Sequence, residues 1–247
     1  MTAMRGEFPP RPSPFPATLG PASVHVWLGP TEWTQPRATD ALSILSDDER
    51  ARAARFHFDR DRVRFVAAHA TLRRLLGRYT SVSPERLNFA AGPAGKPALV
   101  GHPRVAFNLS HAGDFALYAV AATGAIGVDI ERVAPDIEHD LIAAQVFSAA
   151  ERRALRGLPT GARALGFTHG WSRKEAYIKA TGHGVSRGLD HFDVTLAPGE
   201  PASLLADRIE ADAVEQWRMY ALAPHPGYVG ALVADSSIEE VVLLRVE

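Results

Sequence analysis

Two apolar periods divide the chain into strands and long helices. Ile126, Val128 and Ile130 alternate with Gly127, Asp129 and Glu131, the two-residue period of a strand over 125–131. Further apolar strands are expected over 105–109, 115–121, 217–222 and 228–234. Long helical stretches are expected over about 59–79 and about 162–180. Before each helical stretch stands Ser-x-x-Glu, at Ser46 to Glu49 and at Ser148 to Glu151, the pattern of a capping box.

The elements recur in order, so the chain reads as repeating itself once. Val82-Ser83 with Leu87-Asn88-Phe89 returns as Val185-Ser186 with Leu189-Asp190-His191-Phe192. His111-Ala112-Gly113 stands between two apolar strands, and so does His225-Pro226-Gly227. The offset drifts from 102 residues (Ser46 to Ser148) to 114 (His111 to His225), as loop insertions would cause. The expected fold is α+β: two similar halves forming a pseudodimer, each a small antiparallel sheet packed by a long helix. The cleft between halves is the favoured place for a ligand. The expected boundaries are a Pro-rich tail over 1–22, extended and mobile, an N-terminal half over 23–124 and a C-terminal half over 125–247.

Residues i and i+2 of a strand share a face, so Asp129 and Glu131 point the same way. Two neighbouring carboxylates repel unless a cation or a proton lies between them. On the second long helix Trp171, Glu175 and Lys179 are spaced i, i+4, i+8 and line one side. Glu175 and Lys179 alone would read as a surface ion pair of about 0.3–0.5 kcal/mol, and His111 alone as a turn histidine. Taken in order, three acids, two lysines and a Ser110-His111 turn make a set for holding Mg²⁺ and a polyphosphate. The first long helix offers Arg64, Arg73 and Arg74 but nothing like Lys174-Glu175. One cleft is therefore expected, with the first half binding and the second reacting.

Composition narrows the class. The 247 residues are long enough for a real core, and 46% hydrophobic with 22% charged residues is ordinary for a globular enzyme. A net charge of −1 gives no field to draw the chain to nucleic acid or membrane. Without cysteine there is no disulfide, thiolate metal site or thiol nucleophile. No apolar run approaches the roughly 18 residues of a membrane span, and no signal-peptide core is visible, so a cytoplasmic enzyme is expected. Of the 27 basic residues only Lys96, Lys174 and Lys179 are lysines, and all three fall inside the motifs below.

Asn108-Leu109-Ser110-His111, Gly127-Val128-Asp129-Ile130-Glu131 and Trp171-Ser172-Arg173-Lys174-Glu175-Ala176-Tyr177-Ile178-Lys179 together resemble the Sfp-type 4'-phosphopantetheinyl transferases. Gly95-Lys96-Pro97 and Phe147-Ser148-Ala149-Ala150-Glu151 match further elements of that family, and the resemblance spans about residues 45 to 235. It implies transfer of the phosphopantetheine arm of coenzyme A to a serine of an apo acyl or peptidyl carrier protein. It implies Mg²⁺, replaceable by Mn²⁺, on Asp129, Glu131 and Glu175. Glu175 is then also the candidate base, and Lys179 stabilises the pyrophosphate.

Arg52, Arg55, Lys96, Ser110 and His111 are the implied coenzyme A contacts, with Ser110 and His111 at the 3'-phosphate. Glu49 departs from the family where a lysine can occur, leaving Arg50 or Arg52 to substitute. Lys174 is expected to solvate the helix or meet the carrier. Trp171 is expected to pack and to direct Glu175. Residues 133–147, with Ile137, Leu141, Ile142, Val146 and Phe147, are either a carrier landing or core. A chain with both halves is expected to act as a monomer. Two other readings stay open: a different Mg²⁺-dependent nucleotide pyrophosphatase, and a non-catalytic protein that binds coenzyme A or carriers.

Overall fold

Two sheets lie face to face, and each carries a long helix on its outer side. The computed structural model describes residues 6–16, 18–92, 95–134, 138–184 and 188–247. The first half of the chain forms β1 (Ser23–Pro30), α1 (Gln35–Ala41), α2 (Asp47–Ala53), α3 (Asp59–Thr80), β2 (Phe89–Ala91), β3 (Pro97–Leu99), β4 (Ala106–Ala112) and β5 (Phe115–Ala121). There follow β6 (Ile126–Arg132), α4 (His139–Val146), α5 (Ala149–Gly157), α6 (Thr160–Thr181), β7 (Phe192–Val194), β8 (Leu204–Asp207), α7 (Ala213–Gln216), β9 (Trp217–Leu222), β10 (Tyr228–Asp235) and β11 (Glu240–Arg245).

The larger sheet has the order β11-β1-β5-β4 and the smaller the order β6-β10-β9. The two-residue period sorts their side chains. Val24, Val26, Leu28, Leu117, Ala119, Ile126, Val128, Ile130 and Leu232 meet between the sheets. Trp27, Tyr118 and Val120 leave the other face of the first sheet and pack on Leu72, Leu75 and Leu76 of α3. Ala231 and Val233 leave the outer face of the second and pack on Ala176, Tyr177 and Ala180 of α6. The fold is thus mixed α+β, with several small sheets and two long helices.

Both expected capping boxes form: Ser46 with Glu49 opens α2, and Ser148 with Glu151 opens α5. Each glutamate goes on to accept from a buried cation. Arg73 of α3 donates Nε to Glu49 at 2.7 Å and its Nη1 to the carbonyls of Pro84 and Leu87. Lys174 of α6 lies 2.9 Å from Glu151 and donates to the carbonyls of Leu189 and Phe192. Each cation ties a capped short helix, a long helix and the loop beyond it into one unit.

Four expectations change. Lys174 is 0% exposed and neither solvates the helix nor reaches a partner; its direction off the Glu175 face leads into the second half's core. Ser110 and His111 lie inside strand β4, and the turn begins at Gly113. The tail is not free where it is described. Gly6 pairs with Ala223, Ser13 donates to the Arg245 carbonyl, Arg245 donates to the Pro9 carbonyl, Phe8 is buried and Phe15 stacks on Trp27. The first sheet is also not purely antiparallel, because β11, from the far end of the chain, pairs parallel with β1.

The Lys174–Glu151 pair yields a stability prediction. Lys174→Met leaves a buried carboxylate unpaired and is expected to cost about 3–5 kcal/mol in urea denaturation. The double change Glu151→Gln, Lys174→Met is expected to recover most of that loss. A single variant as stable as the wild type would mean that the pair does not hold α6.

Candidate active site

The two sheets expose one edge strand each at the same seam, β4 and β6. The backbone N–H of Val128 on β6 donates to Asn108 Oδ1 of β4 at 2.8 Å. Ser110 Oγ, on the same side of β4, donates to Asp129 Oδ1 at 2.8 Å. The seam is therefore closed by side chains where a continuous sheet would use backbone. Asp129 is 2% exposed, and its second oxygen, Oδ2, is buried with no hydrogen-bond partner.

Helix α6 crosses β6 at Gly127. A Cβ there would collide with the Ala176 carbonyl oxygen and the Ala180 amide nitrogen. This close approach lowers the Glu175–Lys179 face onto the strand's acids. Lys179 Nζ donates to Asp129 Oδ1 at 2.6 Å, to Ser110 Oγ at 3.0 Å and to the Val128 carbonyl at 3.4 Å. Trp171, two turns earlier, donates its indole N–H to Glu131 Oε1 at 2.9 Å. The tryptophan thus orients Glu131, where the sequence assigned it to Glu175. Among the described residues the Glu175 carboxyl accepts no hydrogen bond, and it lines a cleft of about 320 Å³ with Lys179, Lys96, Asn108, Pro97 and Gly182.

Electrostatics follow from this crowding. Burial, then the neighbouring Asp129 charge, pushes Glu131 up to about 7 against the Trp171 hydrogen bond and Lys179, which act the other way. Burial and Asp129 also raise Glu175, with Lys179 opposing. Glu131 and Glu175 thus both feel the Asp129 charge. Among the described residues, however, no three His, Asp or Glu side chains stand in metal-holding geometry. Lys179 is the cation that satisfies Asp129 here.

The structure groups the other expected residues in two places. Lys96 reaches from the β2–β3 hairpin to the carbonyls of Ile126, at 2.9 Å, and Ala180, at 3.3 Å, and burial lowers it to about 8. It thus clips the first half to both α6 and β6. His111 leaves the opposite face of β4 from Ser110. Its rim is open to solvent. Crowding by protein atoms lowers its pKa first, and then the charges of His69, Lys179, Arg52 and Arg64.

His111 therefore feels the charge of four basic neighbours. One of them, Arg52 of α2, is stacked over Phe65 at 5.2 Å. Arg55 is exposed, and among the described residues no side-chain contact ties it to these groups. Arg50 is held by Asp47 and the carbonyls of Leu42 and Leu45. Glu49 is committed to its capping box, to Arg73 and to His69, 3.0 Å away.

Sequence reading missed His69 and gave Arg64 no role here. The available signal was spacing: Phe65, His69 and Arg73 recur every four residues on α3, and His69 stacks on Phe65 at 4.0 Å.

The comparisons agree with this architecture. Residues 125–233 match the family model described as the 4'-phosphopantetheinyl transferase superfamily. Residues 31–123 match that described as 4'-phosphopantetheinyl transferase, N-terminal. The chain is 36% identical over 224 residues to the 4'-phosphopantetheinyl transferase HetI of a Nostoc species, covering 90% of this chain and 91% of that protein. It is 36% identical to psf-1 of Bacillus pumilus, over 73% of this chain and 76% of that one. It is 31% identical to Sfp of Bacillus subtilis, over 63% and 68%.

The raised Glu131 carboxyl is open to direct measurement. Its folded pKa lies above the ordinary 4.5, so its contribution to stability falls as pH rises from about 4.5 to about 7. The Trp171 indole N–H resonance is expected to titrate with a midpoint near 7. Asp129→Asn removes a neighbouring negative charge and should move that midpoint down. A wild-type midpoint near 4.5 would contradict the crowded-acid geometry.

Proposed function

The chain belongs to the 4'-phosphopantetheinyl transferase family, and we propose that the seam between β4, β6 and α6 is its reaction centre. The protein transfers the 4'-phosphopantetheine arm of coenzyme A to a carrier-protein serine, as holo-carrier-protein synthases do. The serine oxygen forms a bond to the β-phosphorus of coenzyme A. The bond from that phosphorus to the bridging oxygen breaks, and 3',5'-ADP leaves. The observation that carries the site assignment is the orphaned, buried Asp129 Oδ2 on a residue whose charge raises the carboxyls of Glu131 and Glu175.

Those three acids are the ones that would hold Mg²⁺, or Mn²⁺ with the same preference for oxygen. Their donor set fits: hard oxygens, mutual repulsion and one unsatisfied lone-pair site. When bound, the cation neutralises pyrophosphate charge. The chain's own residues do the rest. Glu175, without a hydrogen bond among the described residues and made more basic by burial and by Asp129, takes the serine proton. Lys179 shifts its donors from Asp129 towards the developing charge on the leaving phosphate. Ser110 and Asn108 keep the seam closed while it does so.

The basic cluster of His111, His69, Arg52 and Arg64 receives the 3'-phosphate of coenzyme A. Buried Arg64 Nε, without a partner, supports that assignment. Lys96 stands at the adenosine side of the same cleft.

The two halves form a pseudodimer, 23–124 and 125–247. In support, Glu49 with Arg73 and Glu151 with Lys174 make the same capping-box contact at offsets of 102 and 101 residues. The strand β11 crosses from the second half to the first. A chain holding both halves acts as a monomer in the cytoplasm. The carrier lands beside α4, where Leu141 is exposed while Ile142, Val146 and Phe147 pack inward. Ile137 lies outside the described residues.

Mass spectrometry of an apo carrier protein incubated with this protein, coenzyme A and Mg²⁺ tests the reading. We expect a gain of one phosphopantetheine, abolished by chelation and by Asp129→Ala with the fold intact. Release of 3',5'-ADP without a carrier would favour a pyrophosphatase. Binding without release would favour a non-catalytic protein. Asp129→Ala turnover near wild type would overturn the metal assignment.

A further inference from the structure

A second basic groove lies on the helix side of the first sheet and shares no lining residue with the cleft. It encloses about 450 Å³ between α1, α3 and the C-terminal end of β11, with Trp27 and Trp33 in its wall. Arg37, Arg74 and Arg78 line it from two helices, with Arg245 behind them. Arg74 and Arg78 are one turn apart on α3 and so share a face.

Aromatic rings hold these guanidiniums in place. Arg37 lies 4.2 Å and Arg74 5.4 Å from the centre of the same Trp33 ring, and Arg78 lies 4.1 Å from that of Phe15. Stacking fixes a guanidinium plane but leaves its five N–H donors unused. Among the described residues, Arg37, Arg74 and Arg78 make no side-chain hydrogen bond and no ion pair. Arg50, Arg62, Arg64 and Arg208 show the usual alternative, each paired with an aspartate. Glu247 also lines the groove, but no ion pair closes between it and the arginines.

Converging like charges are unfavourable, and an anion bound between them relieves the repulsion. The forked donors suit phosphate oxygens in particular. One carboxylate would leave most of the cationic charge unmatched, so the fitting ligand carries at least two negative charges. The apolar wall of Trp27, Leu75 and Val246 favours a compact organic group beside them. We propose that this groove binds a small phosphate-bearing polyanion at Arg37, Arg74 and Arg78. The inference does not depend on the transferase reading.

Isothermal titration with inorganic pyrophosphate tests it, with sodium chloride at matched ionic strength as the control. The probe also suits the cleft, so the titration uses the full-length His111→Ala, Lys179→Ala variant. Binding is expected to persist there. Adding Arg37→Ala and Arg74→Ala should weaken it at least about tenfold, since hydrogen bonds to charged groups are lost. These side chains are exposed, and an unchanged thermal midpoint without ligand checks the fold. If that variant fails to fold, Arg78→Gln serves instead, with the same weakening expected. Loss of all pyrophosphate binding in the His111→Ala, Lys179→Ala variant, or a signal equal to the chloride control, would overturn the proposal. So would unchanged affinity after the arginine substitutions.

Discussion

The distance between α6 and β6 sets everything at the site, and Gly127 sets that distance. With no side chain at 127, the backbone of α6 at Ala176 and Ala180 rests directly on the strand. Only at that spacing can the Lys179 ammonium reach Asp129, Ser110 and the Val128 carbonyl together. A methyl group inserted there would force one element outward, and overpacking of this kind costs about 1–3 kcal/mol. The chemical loss would be larger in kind, because catalytic groups displaced by an ångström no longer converge.

The rotation of α6 about its own axis needs a separate constraint, and the buried Lys174 supplies it. Its ammonium is fixed by Glu151 and two carbonyls on the side facing away from the seam. Glu175, the next residue, is thereby turned towards the cleft. Burial lowers the Lys174 pKa, and the Glu151 charge opposes that shift. Burial likewise raises Glu151, with Lys174 opposing. The pair is costly to desolvate, yet it specifies one orientation of the helix. The first half has the same arrangement in Glu49 and Arg73, where burial would raise Glu49 but hydrogen bonds from His69 and Ser46 and the charge of Arg73 hold it down at about 2. There the long helix carries His69 and Arg64 towards His111, giving a basic surface with no acid pair like that of β6.

Features governed by local periodicity were legible in the sequence. The alternation over β6 sent Ile126, Val128 and Ile130 inward and Gly127 and Asp129 towards α6, and both capping boxes formed at their serines. The Glu175–Lys179 face followed from helical spacing alone. What could not be read depends on partners distant in the chain. The helical wheel separated Lys174 from Glu175 but could not say that Glu151 and two carbonyls waited there. Proline content suggested a loose tail, whereas docking of Ser13 and Phe15 needs β11 and Trp27. The parallel pairing of β11 with β1 joins Ser23 to Glu240, across 217 residues, and leaves no local signature. Glu49 read as a lost cation, and its role emerged only once Arg73 and His69 were seen beside it.

In the proposed reaction α6 brings a proton acceptor, Glu175, to the reacting phosphate. Glu175→Gln keeps the shape and removes the charge, so kcat and coenzyme A affinity measured on this one variant are decisive. A fall in kcat of roughly 10²–10⁴-fold with little change in coenzyme A binding is expected. A variant that keeps wild-type kcat would show that this face of α6 is scaffold and that the proton goes elsewhere.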